Sequence, residues 1–439
     1  MATAALPVLR DTLAIDFGAC PPGCRACAEA CARARTVGRI TALDLPEVAF
    51  HGAVTCGQCG EPACRDACPT GAIVKEDAGV VRLSETRCVG CGACAIACVW
   101  GGITYDLGRG RAAKCDTCDG RPACVEACPT GTLSWVETSS LARRFRHPDP
   151  FTPGVGLCPG CAAELAFRLT FRLIGEDVVV FGAPGCAVML VTGLNASATT
   201  RLPAVTGLMT NVPSLMTGVV RQLRRQGRRT RCVAFVGDGT TADVGFQALS
   251  GAAERGEPVL YICYDNEGYM NTGVQRSSTT QQGARTMTTP VGSERSGKAQ
   301  AAKDVPLLMA FHGVAYVATA NVAFLEDFAA KLERALAVED GFAYLHLYSP
   351  CHVGWGAPMD SALEIARRAV ETRVYPLWEA DHGRFRITHP VARPRPIDDF
   401  VELMGRFRHL GPAERAALGR AADERYRRIE ALCAAFADV

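Results

Sequence analysis

Sixteen cysteines lie between residues 20 and 128, and they constrain the fold of this chain more than any other feature of its sequence. They form four groups of four: Cys20, Cys24, Cys27 and Cys31; Cys56, Cys59, Cys64 and Cys68; Cys88, Cys91, Cys94 and Cys98; and Cys115, Cys118, Cys124 and Cys128. Four thiolates ligate one [4Fe–4S] cluster, and in two-cluster ferredoxins the fourth cysteine of each group ligates the other cluster. The spacing therefore predicts a segment folded around four [4Fe–4S] clusters.

Zinc is the competing interpretation, because cysteines separated by two residues also occur in zinc sites. Zinc sites usually combine two such pairs that are distant in the chain, whereas the group from Cys88 to Cys98 has the continuous spacing C-x2-C-x2-C-x3-C. This spacing favours iron–sulfur clusters. A disulfide framework is disfavoured, because the chain has 439 residues and residues 1–16 lack a basic segment followed by a long apolar run. We therefore expect a reducing, cytoplasmic location.

The composition indicates a folded chain and excludes some classes of partner. Hydrophobic residues make up 48% of the sequence, which is enough for cores in two or three domains. The formal net charge is +2, which gives no electrostatic basis for binding nucleic acid. No stretch approaches roughly 18 uncharged apolar residues, so we expect no membrane span.

An internal repeat indicates duplication within the cysteine-rich segment. CGEPACRDACPTGAI, which starts at Cys59, matches CDGRPACVEACPTGTL, which starts at Cys118, almost position by position. Small residues fill the gaps between the cysteines, as is needed where a backbone wraps closely around a cluster. We therefore predict a small α+β, ferredoxin-like, poly-iron–sulfur domain over residues 1–142.

The pattern of the sequence changes after a proline-rich stretch, which we interpret as a linker over residues 143–157. Apolar runs then end in glycine, aspartate or proline and alternate with helical patterns, which is typical of an α/β fold with a parallel sheet. We assign this domain to residues 158–380. Ligands of parallel sheets bind beyond the carboxyl ends of the strands, so the residues that follow each apolar run are candidate site residues.

A helical extension is expected over residues 381–439. Apolar residues recur there at helical spacing from Leu418 to Phe436, which predicts an amphipathic helix. Its apolar face packs either on its own domain or on another subunit.

The apolar run RCVAFV ends in a Gly-Asp-Gly turn, and Asn266 follows the next run. By itself such a turn is also typical of ordinary loops after strands. The pair resembles the thiamine-diphosphate motif, which implies that Asp238, Asn266 and the Gly268 carbonyl hold Mg²⁺ on the diphosphate. Mg²⁺ prefers oxygen ligands and takes few of them from protein, and glycines before a helix let backbone amides approach an anion. The implied cofactor-binding residues are Gly237, Asp238, Gly239, Thr240, Asn266 and Gly268.

The stretch DNEGYMNTGVQRSSTTQQGART, which starts at Asp265, closely resembles the beta subunit of pyruvate:ferredoxin oxidoreductase and its relatives in the 2-oxoacid:acceptor oxidoreductase family. The resemblance extends from about Leu157 to Trp355. It implies oxidative decarboxylation of a 2-oxoacid, either pyruvate or an arylglyoxylate such as phenylglyoxylate, to acyl-CoA and CO2 through thiamine diphosphate, with electrons relayed over [4Fe–4S] clusters. Homologues specific for indolepyruvate, branched-chain 2-oxoacids or oxalate are alternatives.

The same resemblance implies a fifth [4Fe–4S] cluster next to the thiamine, which we call the proximal cluster. Its implied ligands are Cys158, Cys161, Cys186 and Cys351. Buried thiols are the alternative interpretation, particularly for Cys351, because a free cysteine is commonly buried. Cys232, Cys263 and Cys433 match no family ligand, and we interpret them as core residues.

The resemblance also divides the active site between subunits. Asn271 and Thr272 match family positions beside the reactive ring, so they are the implied catalytic residues, although turn capping is an alternative role for Asn271. The glutamate that activates the cofactor lies in this family on an alpha-type subunit, and no residue of this chain matches it. We therefore expect alpha-type and gamma-type oxidoreductase subunits as partners, with coenzyme A and the 2-oxoacid as substrates.

The four-cluster segment differs from the two-cluster electron module that is usual in this family. It resembles the four-cluster subunits of molybdenum and tungsten oxidoreductases and of formate-linked hydrogenases, which implies that the first and last cysteine groups share ligands and that the middle two do the same. The spacing between Cys20 and Cys24 is one residue longer than expected. The longer module implies that electrons pass somewhere other than directly to a soluble ferredoxin, such as to an NAD-linked flavin subunit. Ferredoxin is kept as the other candidate acceptor.

Two other functions compete with that of an oxidoreductase subunit. A pure electron-transfer polyferredoxin would have lost cofactor binding, which the presence of Asp238, Asn266 and Gly268 disfavours. A non-oxidative thiamine decarboxylase subunit would have no need of the four additional cysteines that match the proximal cluster.

Overall fold

The computed structural model describes residues 12–15, 20–48, 50–59, 62–76, 80–136, 141, 144–152, 155–191 and 200–436. The chain divides into two units, Met1–Arg146 and His147–Val439. The division falls inside residues 143–157, the segment that the sequence predicts to be a linker.

Short paired strands and short helices make up the N-terminal unit. Its strands pair antiparallel two by two: β1 (Thr12–Ile15) with β8 (Leu133–Val136), β2 (Ile40–Leu45) with β3 (Phe50–Thr55), β4 (Ile73–Lys75) with β5 (Val81–Leu83), and β6 (Ile103–Asp106) with β7 (Arg111–Lys114). Its α-helices span Ala26–Ala34, Ala63–Asp66, Ala93–Ala97 and Ala123–Glu126, and 3-10 helices span Pro46–Val48 and Thr117–Gly120. The first of these α-helices carries two cysteines of its group and each of the other three carries one, so the remaining candidate ligands lie in the segments around the helices.

The N-terminal unit has two small cores, and each contains cysteines from two groups. Helix Ala26–Ala34 packs against helix Ala123–Glu126, in a core that holds Cys27, Cys31 and Cys124. The helices of the second and third groups pack against each other in the same way, and their core contains Cys64 and Cys94. The cysteine groups are therefore combined first with last and second with third.

An eight-stranded sheet forms the centre of the C-terminal unit. Its strands are β9 (Val178–Gly182), β10 (Ala204–Thr206), β11 (Arg231–Gly237), β12 (Leu260–Asp265), β15 (Tyr316–Asn321), β16 (Ala343–Tyr348), β17 (Trp378–Asp381) and β18 (Arg384–Ile387). Their order is β10-β9-β11-β12-β16-β15-β17-β18. The first six strands in this order are parallel, and β17 and β18 are added antiparallel at one edge. The remaining strands, β13 (Val291–Gly292) and β14 (Arg295–Ser296), form a separate hairpin.

Helices bury the central strands of this sheet. Every residue of β12, β15 and β16 is buried, as expected for a parallel sheet covered on both faces. The α-helices span Ala162–Ile174, Cys186–Val191, Val212–Arg225, Phe246–Glu254, Val305–Phe311, Leu325–Ala337, His352–Trp355, Ala362–Glu371, Asp398–Val401 and Pro412–Ala435. The predicted α/β class with a parallel sheet is confirmed, and Cys232 and Cys263 lie in its core, as expected.

The C-terminal segment differs in part from the predicted helical extension. It begins with β18, in which Phe385 is buried between two arginines, and this strand pairs with β17 as the edge of the main sheet. The sheet therefore continues past Ala380. In β18 polar and apolar residues alternate, and this alternation suits an edge strand because successive side chains point to opposite faces of a sheet. Helix Pro412–Ala435 then packs on its own unit, with Leu418 and Ile429 among its buried residues. No helix in the described part of the chain is long and apolar enough to cross a membrane.

Candidate functional site

The carboxyl ends of four neighbouring parallel strands carry predicted site residues. β9, β11, β12 and β16 lie side by side in the sheet. Asp238 directly follows β11 and Asn266 directly follows β12, while Cys186 and Cys351 lie a few residues after β9 and β16. Because the carboxyl ends of parallel strands meet at one edge of a sheet, residues that are distant in the sequence are brought together here.

A cavity opens at this edge of the sheet, and predicted metal, cofactor and cluster residues share its wall. The lining includes Cys186, Gly237, Asp238, Gly239, Thr240, Asn266, Gly268, Asn271 and Thr272. Apolar surface comes from Met209 and Met270 and from the rings of Tyr264 and Tyr269. One candidate cluster cysteine therefore faces the same space as the candidate metal ligands.

Asp238, Asn266 and Gly268 have a geometry that suits a divalent cation. One terminal atom of the Asn266 amide lies 3.0 Å from Asp238 Oδ1 and 2.8 Å from the Gly268 carbonyl oxygen. With its amide nitrogen in this position, Asn266 would donate to both oxygens. Rotating the amide brings three oxygens together, which is the ligand set that Mg²⁺ prefers. The residues present therefore fit a magnesium ion.

Close packing around the two loops restricts what side chains they can hold. A Cβ atom on Gly239 would lie 2.5 Å from the Tyr269 ring, and one on Gly268 would lie 2.8 Å from the Gln275 carbonyl oxygen. Glu267, between the two candidate ligands of the second loop, has a φ of 57°, a region that few side chains adopt. The carbonyl oxygen of Glu267 accepts a hydrogen bond of 2.6 Å from Thr280 Oγ1. The loop is thus held in a conformation that turns the Gly268 carbonyl toward Asn266.

A buried polar network lies behind Asp238. Burial raises the pKa of Asp238 well above its usual range, and the Asp265 carboxylate adds to the rise. Thr279 Oγ1 lies 3.1 Å from Asp238 Oδ2 and 2.8 Å from Asp265 Oδ1. Burial alone would raise the pKa of Asp265, but the hydrogen bond and charge of His346, whose Nε2 is 2.9 Å from Asp265 Oδ2, outweigh it and lower that pKa. A cation at Asp238 would relieve the repulsion between the two carboxylates.

The four predicted ligands of the proximal cluster lie close enough to act on one another electrostatically. Cys161 is the N-cap residue of helix Ala162–Ile174, and Cys351 is the N-cap residue of helix His352–Trp355. Burial raises the pKa of the Cys186 thiol to about 12, and the charges of the other three cysteines and Asp238 add to this shift. Burial likewise raises the pKa of Cys161 to about 11, with contributions from Cys351 and Cys158. Iron would supply the positive charge that thiolates need in such a place.

The N-terminal cysteines interact across groups in the pattern that the four-cluster resemblance implies. Burial raises the pKa of Cys20, and Cys24 and Cys128 raise it further. Burial raises the pKa of Cys124 to about 12, with contributions from Cys115, Cys31 and Cys118. The fourth cysteine of the first group therefore lies with the last group, and the fourth cysteine of the last group lies with the first.

The second and third groups interact across groups in the same way. Burial raises the pKa of Cys64, and both Cys56 and Cys98 contribute. Burial also raises the pKa of Cys94, with contributions from Cys88 and Cys68. The fourth cysteine of each of these groups therefore acts on its partner group, which is the arrangement that exchange of the fourth ligand requires, as in two-cluster ferredoxins.

None of the cysteines forms a disulfide. Among the residues that the structure describes, no three His, Cys, Asp or Glu side chains are grouped so that they could hold one metal ion. The proposed magnesium ligands are a carboxylate, an amide and a carbonyl, and a four-iron cluster takes its thiolates on different iron atoms. Neither the proposed magnesium site nor a four-iron cluster therefore requires three such side chains around one metal ion.

Asn271 and Thr272 are exposed and lie at the mouth of the cavity. Thr272 Oγ1 is 2.6 Å from Gln275 Oε1 and 3.3 Å from the Tyr269 carbonyl oxygen. These hydrogen bonds of Thr272 stabilise a turn that contains Asn271. A structural role in a turn is the alternative that the sequence analysis gives for Asn271. A catalytic role for the two residues stays a prediction.

Sequence reasoning missed the residues that surround the candidate ligands. Trp355 Nε1 donates a 3.0 Å hydrogen bond to the Asn266 carbonyl oxygen, and Arg406 forms a buried ion pair of 2.7 Å with Glu267. Thr279 and His346 were missed as well. The acidic Glu267, directly after Asn266, is a local signal of a buried ion pair, but its partner Arg406 lies far away in the chain and could not be identified from the sequence.

Comparison with known proteins assigns both units to families. Residues 183–347 match the family of the thiamine pyrophosphate enzyme C-terminal TPP binding domain, and residues 48–138 match the 4Fe-4S dicluster domain. The first match contains Asp238 and Asn266, and the second contains the second, third and fourth cysteine groups.

The chain is 45% identical over 421 residues to subunit beta of the NADH-dependent phenylglyoxylate dehydrogenase of Aromatoleum evansii, covering 92% of this chain and 93% of that subunit. The chain belongs to the family of 2-oxoacid oxidoreductase beta subunits. It is 43% identical over 267 residues to pyruvate synthase subunit PorB of Methanothermobacter thermautotrophicus, covering 61% of this chain and 92% of that one. It is 37% identical over 300 residues to ketoisovalerate oxidoreductase subunit VorB of Pyrococcus horikoshii, covering 65% and 94%.

Membership of this family confirms several of the expectations from the sequence. The protein is a subunit of an oxidoreductase that acts on 2-oxoacids, and it works in a complex with other subunits. Its cofactors are thiamine diphosphate and iron–sulfur clusters. The magnesium ion, the number of clusters, the domain bounds and the roles of individual residues stay predictions.

Proposed function

We propose that this chain is the beta subunit of an arylglyoxylate oxidoreductase. In this reaction a 2-oxoacid such as phenylglyoxylate and coenzyme A give an acyl-CoA and CO2, and two electrons pass to an acceptor. The observation that carries the proposal is the 45% identity over 92% of this chain to a phenylglyoxylate dehydrogenase subunit, because that match covers the cysteine-rich segment as well as the thiamine domain. The pyruvate synthase relative matches over only 61% of the chain.

In this proposal Asp238, Asn266 and the Gly268 carbonyl hold Mg²⁺ on the cofactor diphosphate. The 3.0 Å and 2.8 Å separations around the Asn266 amide support this role. Gly237, Gly239 and Thr240 line the same cavity, where the backbone after β11 can approach the phosphates. Thiamine diphosphate supplies the carbanion chemistry, and this chain binds and orients it.

Cys158, Cys161, Cys186 and Cys351 are proposed to ligate the proximal cluster. Cys186 lines the same cavity as Asp238, so a cluster held by these cysteines would lie beside the cofactor and would supply the first electron acceptor in this chain. The sixteen N-terminal cysteines hold four further clusters, with the fourth ligand exchanged between paired groups. The proposal is therefore five [4Fe–4S] clusters in all. Ligation by thiolates suits the reducing cytoplasm, where we place the protein.

The chain acts with alpha-type and gamma-type subunits in this proposal. Asn271 and Thr272 lie at the mouth of the cavity, where they contact the substrate, while the activating glutamate is contributed by the alpha-type subunit. An NAD-linked flavin subunit is the proposed electron acceptor, because the relative with nearly full-length similarity is NADH-dependent. Ferredoxin is the alternative acceptor.

The proposal also keeps the domain bounds from the sequence. The iron–sulfur domain spans residues 1–142, the linker spans residues 143–157, and the thiamine domain spans residues 158–380.

The test is an assay of the purified anaerobic complex on a panel of 2-oxoacids. The panel contains phenylglyoxylate, pyruvate, 2-ketoisovalerate, indolepyruvate and oxalate, each with coenzyme A and with NAD⁺ or ferredoxin as acceptor. We expect the highest kcat/KM for phenylglyoxylate with NAD⁺. A preference for pyruvate would contradict the substrate assignment, and absence of coenzyme A-dependent reduction with every substrate would contradict the function as a whole.

A further inference from the structure

Arg406 is a buried cation next to the candidate cluster. It lies in the 3-10 helix Gly405–Phe407 and is 4% exposed. Its guanidinium lies 3.6 Å from the centroid of the Trp355 ring, and its Nη1 is 2.7 Å from Glu267 Oε2. Within the described part of the chain, its Nε and Nη2 atoms have no hydrogen-bond partner. The charge is therefore desolvated and held by a single carboxylate and aromatic rings.

Trp355 connects this cation to Cys351. It is the last residue of helix His352–Trp355, and Cys351 is the N-cap residue of the same helix, with its Sγ accepting a hydrogen bond from the Gly354 amide. The Trp355 amide donates to the Cys351 carbonyl oxygen at 2.9 Å, and the Gly405 amide, next to Arg406, donates to the Gly356 carbonyl oxygen at 3.1 Å. The Arg406 charge is thus packed against the short helix that begins at a predicted ligand of the proximal cluster.

The same residues also hold the metal-binding loop. Trp355 Nε1 donates to the Asn266 carbonyl oxygen at 3.0 Å, and Glu267, the partner of Arg406, is the next residue in that loop. The loop that faces the thiamine diphosphate and the helix that carries Cys351 are therefore joined through one cation and one indole. This arrangement fixes Arg406 in place relative to both.

We propose that Arg406 raises the reduction potential of the proximal cluster and so favours electron transfer from the cofactor to this chain. A [4Fe–4S] cluster that accepts one electron gains one negative charge, and a fixed positive charge in a low-dielectric site stabilises that reduced form. Arg406 is a positioning residue with an electrostatic effect, and it does not line the cavity that holds Asp238 and Asn266. The inference rests on the proposed function, because it concerns the cluster of Cys158, Cys161, Cys186 and Cys351.

The test is an anaerobic potentiometric titration of the assembled complex, followed by electron paramagnetic resonance. The proximal signal is identified as the one that a Cys186→Ser complex lacks. Arg406→Met removes the charge and keeps much of the apolar volume, whereas Arg406→Lys keeps the charge. We expect the proximal potential to shift to a more negative value in Arg406→Met, to stay near the wild-type value in Arg406→Lys, and the other four potentials to remain unchanged in both.

Arg373→Met is the matched control. The Arg373 guanidinium also lies over an aromatic ring, 4.3 Å from the Tyr426 centroid, and also pairs with a carboxylate, that of Asp423. Its loss should leave the proximal potential unchanged. If the Arg406→Met complex does not assemble, Arg406→Gln removes the same charge and keeps a hydrogen-bond donor for Glu267.

The outcomes separate this inference from the proposed function. An unchanged proximal potential in a neutral Arg406 variant with an intact cluster would overturn the inference and leave the function standing. An equal negative shift in Arg406→Lys would also overturn it, because packing and not charge would then set the potential. A wild-type complex without a proximal signal would overturn both.

Discussion

Asp238 and Asn266 directly follow neighbouring parallel strands, and one terminal atom of the Asn266 amide lies 3.0 Å from Asp238 Oδ1. Asp238 is fully buried, and burial together with the Asp265 carboxylate raises its pKa well above the usual range. A carboxylate in such a place is costly unless a cation neutralises it. The proposed metal site can therefore be tested at this pair of residues.

Replacing Asp238 should abolish binding of thiamine diphosphate. Asp238→Ala removes one oxygen ligand of the magnesium ion, so we expect Mg²⁺-dependent cofactor binding to fall below detection by isothermal titration calorimetry. The iron content should stay at the wild-type value, because the clusters have other ligands. Asp340→Ala, which removes an exposed carboxylate paired with Arg224, is the control and should bind normally. Normal binding by Asp238→Ala would show that the assignment is wrong.

Replacing Cys186 should separate decarboxylation from electron transfer. A serine oxygen is a poorer ligand for iron than a thiolate, so Cys186→Ser should lose the proximal cluster. In the assembled complex CO2 release in a single anaerobic turnover should persist, whereas dye reduction and acyl-CoA formation should collapse. Cys433→Ser, at the edge of the core, should change neither. Undiminished dye reduction after verified loss of the cluster would mean that electrons leave by another path.

Replacing Cys128 should damage a cluster whose other ligands lie more than a hundred residues earlier in the chain. Because Cys128 acts on Cys20, Cys128→Ser should lose about four of about twenty irons and expose Cys20, Cys24 and Cys27 to alkylation. Cys31→Ser should instead expose the first three cysteines of the last group, because Cys31 acts on Cys124. Mass spectrometry of the alkylated peptides distinguishes the two. Alkylation of the mutated cysteine's own group in each variant would refute the exchange of ligands.

The buried lysine Lys331 should make stability depend on pH in the alkaline range. Burial lowers its pKa from 10.5 to about 8, although Asp327 lies 2.6 Å away. Lys331 therefore contributes a rise in the free energy of unfolding as the pH increases from about 8 to about 10.5, because in this range its side chain holds a proton in the unfolded chain and not in the folded chain. Lys298, whose pKa burial also lowers to about 8, contributes in the same direction. Lys331→Met should make the change of the unfolding free energy with pH less positive than in the wild type in anaerobic denaturant titrations, and Lys75→Met should leave it as in the wild type. An unchanged pH profile in Lys331→Met would contradict the lowered pKa.

Local motifs were readable because their chemistry depends on residue types at short spacing. The cysteine groups predicted iron–sulfur clusters, and the Gly-Asp-Gly turn with Asn266 led to the thiamine domain, both of which the family matches confirm. The apolar runs predicted the parallel strands for the same reason, since burial on both faces of a sheet requires continuous apolar sequence. The alternating residues of β18 lie in the segment for which the sequence predicts a helical extension, and that prediction is wrong for this strand, because a four-residue edge strand carries little periodic signal.

The sequence by itself determined which classes of cofactor this protein binds and which class of sheet it forms, because both follow from residue types at short spacing in the chain. Only the tertiary structure decided which side chains surround the candidate cofactor-binding residues. His346 and Asp265 are 81 residues apart yet form a buried hydrogen bond, and Arg406 reaches Glu267 from the C-terminal segment. Such contacts form when parallel strands and distant helices pack into one core, and no local pattern records the partner of a buried charge. The electrostatic environment of the site is therefore a property of the fold.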